Sequence, residues 1–102
     1  MHALMQVVDL LLTSVIPFTV PIVSQLAELR TQPGYRLELM RYTAPFNMSG
    51  HPTITLPAGF TREGLPLGVQ LVGAHLREDL LVRAGRAFQN ATDWHARRPP
   101  VE

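Results

Sequence analysis

The chain has 102 residues, enough for one domain with a core of modest size. Nine arginines and eight acidic residues give a formal charge of +1, which excludes the broad positive field that attracts nucleic acid or an anionic membrane. Cysteine is absent, which excludes disulfides, thiolate metal sites and a cysteine nucleophile and is compatible with the cytoplasm, the location we expect.

The first part of the chain is strongly apolar. Met1 to Val8 is predicted to be the end of a helix, and the run Asp9 to Thr13 is typical of a strand buried on both faces of a sheet. Ser14 to Val23 is rich in prolines and β-branched residues, which favours an extended loop. The uncharged run Leu10 to Val23 is too short to span a bilayer and has no basic flank, so we expect no membrane segment.

The middle of the chain favours short helices. Gln25 to Gln32 has room for one or two helical turns before Pro33-Gly34 ends them. Arg36 to Met48 is predicted to be helical, with an interruption or kink at Pro45. Gly50 is then suited to a helix C-cap or a tight turn.

Two more strands follow. Thr53 to Leu56 and Leu67 to Val72 have the β-branched and apolar residues of strands, and Ala58 to Pro66 forms a long hairpin-type connection between them. Pro57 has no N–H to donate, so strand pairing should stop or shift there.

The clearest helix is Leu76 to Ala91, with Glu78 and Asp79 in its first turn near the positive end of the helix dipole. Trp94, in the polar tail that follows, is predicted to pack back onto the body of the protein. The apolar positions of the helix repeat every three to four residues, as expected of a buried stripe, and they are Leu76, Leu80, Ala84, Ala87, Phe88 and Ala91.

This arrangement predicts an α/β fold whose sheet is incomplete. Three apolar strands that each need cover on both faces require more helix than the chain contains. The uncovered strand edges should associate with a partner chain or with a second copy. We therefore expect part of a mixed β-sheet flanked by helices.

Residue types that carry chemistry are present but scattered. Ser49, His51 and Asp93 are the types that form one kind of hydrolytic triad, yet their presence alone carries little information, and a loop histidine is the favoured interpretation. The four histidines lack the spacing of metal ligands, so no metal site is predicted. The glycines lack the spacing of a phosphate-binding loop, so no cofactor is expected.

One long run of motifs resembles the C-terminal region of the amidase signature family. Thr43 to Pro52 has the pattern T-x-P-F-N-x-x-G-x-P, and Gly64 to Gly73 has the pattern G-L-P-x-G-x-Q-x-x-G. Asp9 to Thr13 is similar to an upstream D-x-L-x-T-P strand, although Ser14 replaces the usual proline. The resemblance covers roughly residues 5 to 99, with an irregular stretch from Val23 to Leu37, and predicts that residues 1–102 are the C-terminal segment of an amidase signature domain.

The resemblance implies hydrolysis or transfer at amide bonds by a Ser–Ser–Lys triad. The chain contains no lysine and no serine in a Gly/Ser-rich context, so no catalytic residue is assigned and the chain alone is expected to be inactive. A small amide substrate is expected only in the context of the full enzyme.

The same resemblance makes Tyr42, Thr43, Phe46 and Asn47 candidates for the substrate pocket. Alternatives stay open: Asn47 could satisfy backbone groups in the Gly50 turn, and Tyr42 and Phe46 could belong to the core. Two other functions also remain: a non-catalytic scaffold that completes the sheet of a partner chain, and a non-catalytic member of an aminoacyl-tRNA amidotransferase-like assembly.

Overall fold

The structure, a computed structural model, describes residues 1–100. It contains one antiparallel sheet of three strands in the order β1–β3–β2. The strands are β1 (Leu10–Ser14), β2 (Thr53–Phe60) and β3 (Pro66–Gly73). Each of the three predicted strands is present, and β3 lies in the middle, paired on one side with β1 and on the other with β2.

The hairpin of β2 and β3 contains the irregularity that Pro57 predicts. Leu56 pairs with Val69, but the register shifts between Pro57 and Gly59. The pairing therefore shifts and then continues, so β2 extends to Phe60 and does not end at Leu56.

Helices make up much of the remaining chain. The described residues form four α-helices, α1 (Val23–Thr31), α2 (Tyr35–Met40), α3 (Ala44–Ser49) and α4 (Glu78–Ala91). Short 3-10 helices cover Leu4–Gln6 and Trp94–Ala96, so the helix end predicted over Met1 to Val8 is reduced to a single short turn. None of the helices within residues 1–100 is long and apolar enough to cross a bilayer.

The helical region predicted from Arg36 to Met48 is two helices, and the break lies before Pro45. Residues 41–43 separate α2 from α3, and Pro45 lies in the first turn of α3. A proline is well accommodated there because the N–H it lacks would have no partner within the helix. The predicted interruption is present, but it lies at residues 41–43, and Pro45 itself is in the helix that follows the break.

Helix α4 packs against one face of the sheet. Leu81 and Gly85 are buried, and a side chain added at Gly85 would meet the Ile54 Cδ1 atom at 3.3 Å. The helix backbone approaches the sheet closely because Gly85 has no side chain.

The predicted stripe was partly wrong. Leu80, Ala84 and Phe88 are half-buried, but the other predicted members are exposed: Leu76, Ala87 and Ala91. The stripe was placed too early because Leu76, with a φ of +61°, belongs to the loop before the helix.

Strand β1 is not buried on both faces. Leu12, at its centre, is 64% exposed.

Among residues 1–100 the buried hydrophobic side chains are those of Phe46, Leu56, Val72 and Leu81. The Cα radius of gyration is 15.7 Å, larger than the value of about 13 Å typical of a compact domain of 100 residues. The elements form an incomplete α/β fold with a small core.

We expect Leu81→Ala to lower the free energy of unfolding by about 2–5 kcal/mol, since it leaves a cavity where α4 meets the sheet. Val82 is the matched control, because it follows Leu81 on the same helix and is 61% exposed. Val82→Ala should change the free energy of unfolding by less than about 0.5 kcal/mol. Urea denaturation followed by circular dichroism measures both, and equal effects of the two variants would contradict the packing described here.

Candidate functional site

The four predicted pocket residues lie together where α2 gives way to α3. Thr43 is the N-cap of α3, and its carbonyl accepts hydrogen bonds from the backbone N–H groups of Phe46 and Asn47, both at 3.2 Å. Tyr42 and Thr43 are half-buried, and Asn47 is exposed. The chain folds here as a tight turn followed by the short helix α3, and the four residues belong to this turn and to the first part of that helix.

Phe46 has a different environment from the others. Its side chain is only 6% exposed, so it belongs to the small core, as the alternative interpretation of the sequence allowed. The junction thus consists of one buried aromatic anchor and three residues that reach the surface.

A second group of polar residues lies just after α3. Gly50 ends the helix with a φ of +70°, as its sequence position predicted. The Nδ1 atom of His51 lies 2.8 Å from the Oγ atom of Ser49, and its ring centroid lies 4.1 Å from that of His75. His51 is only 8% exposed. The favoured interpretation, a loop histidine, gave no indication of this burial, because the packing depends on His75, far away in the sequence.

The surroundings of His51 favour the neutral imidazole. Burial is the largest cause of its lowered pKa, followed by the nearby His75 ring and then by the N-terminal amino group and His2. The Ser49 hydroxyl also donates to the Phe46 carbonyl at 3.4 Å, and a neutral His51 ring with its proton on Nδ1 can donate to the Ser49 oxygen. We call these two groups the serine–histidine pair.

The pair does not extend to a triad with Asp93. His75 precedes α4 and Asp93 follows it, and α4 has 14 residues, which places the two ends about 20 Å apart. Since His51 contacts His75, Asp93 lies too far away to orient the imidazole. Within the described part of the chain, no group of three or more His, Cys, Asp or Glu side chains is placed to hold a metal ion.

Four concavities are formed by the described residues, all of them outside the α2–α3 junction, and two of these are described here by their lining. One, of about 570 Å³, lies between the loop before α1 and the start of α2, beside the stacked rings of Phe18 and Tyr35 at 5.7 Å. The other, of about 390 Å³, lies between α4 and the sheet. We call the second one the sheet groove, and it is lined by Leu12, Leu56, Ala58, Val69, Leu71, Ala84, Phe88 and Trp94. None of the four predicted pocket residues lines either concavity.

Comparison with known proteins identifies the family. The family model described as amidase matches residues 1–82. The chain belongs to the amidase signature family. This confirms the resemblance drawn from the motifs between Thr43 and Gly73.

The relatives of this amidase-family chain are much longer than the chain itself. A Mycobacterium tuberculosis protein named as an amidase, AmiD, is 49% identical over 94 residues, which is 92% of this chain and 20% of that protein. A 6-aminohexanoate-cyclic-dimer hydrolase of Paenarthrobacter ureafaciens is 48% identical over 65 residues, 64% of this chain and 13% of that protein.

A solved structure also matches most of this chain but only a small part of its own length. The chain is similar to 6-aminohexanoate cyclic dimer hydrolase complexed with substrate, with a TM-score of 0.78 and 36% sequence identity. The match covers 90% of this chain and 21% of the hydrolase chain. This chain thus spans about a fifth of the length of the relatives that it matches most fully.

We expect the stability of the chain to depend on the protonation of His51. Its pKa in the folded state lies below the ordinary value of about 6.5, so the unfolded state binds more protons near that pH. The stabilisation by neutral His51 is complete above about pH 6.5 and is lost as the pH falls through the lowered pKa of the folded state.

The measurement is urea denaturation between about pH 5 and pH 7.5, a range that covers the ordinary titration of histidine. His51→Gln should flatten the loss of stability toward low pH, whereas His95→Gln, at an exposed site, should keep it. If the two variants showed the same pH dependence, the environment assigned to His51 would be wrong.

Proposed function

We propose that this chain acts as the C-terminal portion of an amidase-like hydrolase of carbon–nitrogen amide bonds, to which it contributes sheet strands and part of the substrate pocket. The observation that carries the proposal is the open sheet. Leu12, at the centre of β1, is 64% exposed in a chain that matches only 21% of a related hydrolase. An apolar strand centre of this kind is stable when other elements cover it.

The chain alone lacks the groups for catalysis. The family's chemistry, as the motif resemblance implies, uses a lysine with two serines, and this chain has no lysine. The Ser49–His51 pair does not replace the triad, because Asp93 lies at the far end of α4 and cannot orient the imidazole. We therefore infer that the nucleophile and its base lie in other parts of the enzyme.

The first test is an amidase assay of the full chain on simple aliphatic and aryl amides. We expect no turnover above the buffer control, because the chain has no activated nucleophile. Ser49→Ala is the control variant, since it removes the hydroxyl that His51 contacts. Turnover by the chain that disappears in Ser49→Ala would show a complete active site here and refute the proposal.

The pocket contribution is the finer part of the proposal. Tyr42, Thr43 and Asn47 reach the surface at the α2–α3 junction, and Phe46 anchors it in the core. Half-buried or exposed side chains beside a rigid helix start are suited to contact a ligand held by the remainder of the enzyme.

We expect Asn47→Ala to raise KM in a chimera in which this chain replaces the matching fifth of 6-aminohexanoate cyclic dimer hydrolase. Loss of one hydrogen bond to substrate corresponds to about a 2- to 10-fold change. Met48→Ala is the matched control, because Met48 is the next residue and is 89% exposed. The pocket assignment fails if the chimera hydrolyses substrate with the same KM in both variants.

The unpaired strand edges favour a second function, a non-catalytic scaffold that completes the sheet of a partner chain. The scaffold function differs from the amidase function because the complex that contains the scaffold need not hydrolyse amides. Amide hydrolysis by the chimera supports the enzyme portion, and partner binding without any hydrolysis supports the scaffold. For either function we propose the cytoplasm as the location, on the basis of the cysteine-free sequence.

A further inference from the structure

A series of contacts joins the loop before α4 to the last turn of α3. The Nδ1 atom of His51 lies 2.8 Å from the Ser49 Oγ atom, and the Ser49 hydroxyl donates to the Phe46 carbonyl at 3.4 Å. The ring of His51 also contacts that of His75, with the two centroids 4.1 Å apart. Because His51 is only 8% exposed, its ring is held against both neighbours.

The Phe46 carbonyl is one that α3 itself leaves without a backbone partner. The carbonyls in the last turn of an α-helix have no N–H group within the helix to bind, and α3 ends at Ser49. The helix has only six residues, so its last turn overlaps its first. The backbone N–H groups of Phe46 and Asn47 both donate to the Thr43 carbonyl at 3.2 Å. A contact that fixes the Phe46 carbonyl therefore also fixes the start of the helix.

The direction of the two hydrogen bonds follows from the chemistry of the groups. A hydroxyl has one proton, and the Ser49 proton goes to the Phe46 carbonyl, which can only accept. The Ser49 oxygen is then the acceptor for His51, so the imidazole carries its proton on Nδ1. We call this sequence of hydrogen bonds, from His51 through Ser49 to Phe46, the α3 relay.

His75 supports the relay from a distant part of the chain. A Cβ atom added at Gly50 would lie 3.7 Å from the Cε1 atom of His75, so the His75 ring packs against the turn that ends α3. The backbone is joined there as well, because the Gly73 N–H donates to the Pro52 carbonyl at 3.0 Å. The end of α3 is thus tied to the segment between β3 and α4.

We propose that His51 is a positioning residue for the substrate pocket, on which it acts through Ser49 and the backbone of Phe46. The α3 relay fixes the start of α3 and thereby the pocket candidates Thr43 and Asn47. The inference rests on the proposed function and gives the serine–histidine pair a role other than nucleophilic chemistry. His51 acts without touching the substrate.

Protonation of His51 should weaken this arrangement. Burial, the largest cause of the lowered pKa of His51, disfavours the charged ring. The titratable groups that face the ring are His75, the N-terminal amino group and His2, and all of them are basic, so they repel a charged imidazole. Substrate binding should therefore weaken as the pH falls below about 6.5, the ordinary pKa of histidine.

The first test needs no amide turnover. In the full chain labelled with nitrogen-15, long-range proton–nitrogen NMR spectra show which ring nitrogen of His51 carries the proton. We expect Nδ1 at about pH 7.5, where histidine is mostly neutral. Ser49→Ala should shift the backbone amide signals of Phe46 and Asn47, whereas His95→Gln, at an exposed site, should leave them in place. A proton on Nε2 of His51 overturns the proposal.

The second test is steady-state kinetics in the chimera described above. Ser49→Ala and His51→Gln should each raise KM about 2- to 10-fold, the equivalent of one hydrogen bond. The double variant should be no worse than either single variant, because both substitutions break the same relay. His51→Asn should restore KM, since its amide nitrogen is as many bonds from the backbone as Nδ1 and can donate to Ser49. His95→Gln is the matched control, at an exposed site.

The pH profile separates positioning from a purely structural effect. KM should rise below about pH 6.5 in the unmodified chimera and in His95→Gln, but not in His51→Asn, which has no imidazole to titrate. If Ser49→Ala and His51→Gln leave KM unchanged while Asn47→Ala raises it, the positioning role is overturned and the pocket contribution stands. If Asn47→Ala also leaves KM unchanged, the pocket contribution fails and this inference fails with it. For a chimera without activity, the proton position and the amide shifts decide.

Discussion

The pairing of β3 with both of its neighbours is the interaction on which the rest of the structure depends. Val72 on this strand is fully buried and Gln70 is 2% exposed, while β1 and β2 have no other strand partner within residues 1–100. Because one strand holds the sheet together, both outer strands have a free edge. The small core follows from the same fact, since a single long helix, α4, covers only part of one face.

The sequence predicted a structural feature well wherever a residue within that feature causes it. Pro57 disturbs strand pairing because it has no N–H, and Gly50 ends α3 because it adopts a positive φ without strain. The burial of β1 was not predictable in the same way. An apolar run indicates that a strand can be covered on both faces, but the cover comes from residues elsewhere. Leu12 is exposed because residues 1–100 supply no cover there.

The same distinction applies to the candidate site. The turn before α3 follows from a helix start that the sequence contains, although the helix boundary was misplaced around Pro45. The buried His51 was missed because its environment is made by His75, which is brought close only when β3 ends. No pattern within a few residues of His51 carries that information.

A free edge such as that of β1 restricts how the chain can exist. Uncharged strands with unpaired backbone groups associate readily, and proteins that occur as isolated sheets protect such strands with proline, charge or covering segments. This chain protects β2 in that manner and leaves β1 unprotected, although both are outer strands. The difference has a physical reason if β2 faces solvent in the working assembly and β1 faces protein. The outer edge of β1 is therefore the place where the described part of the sheet stays open to further pairing.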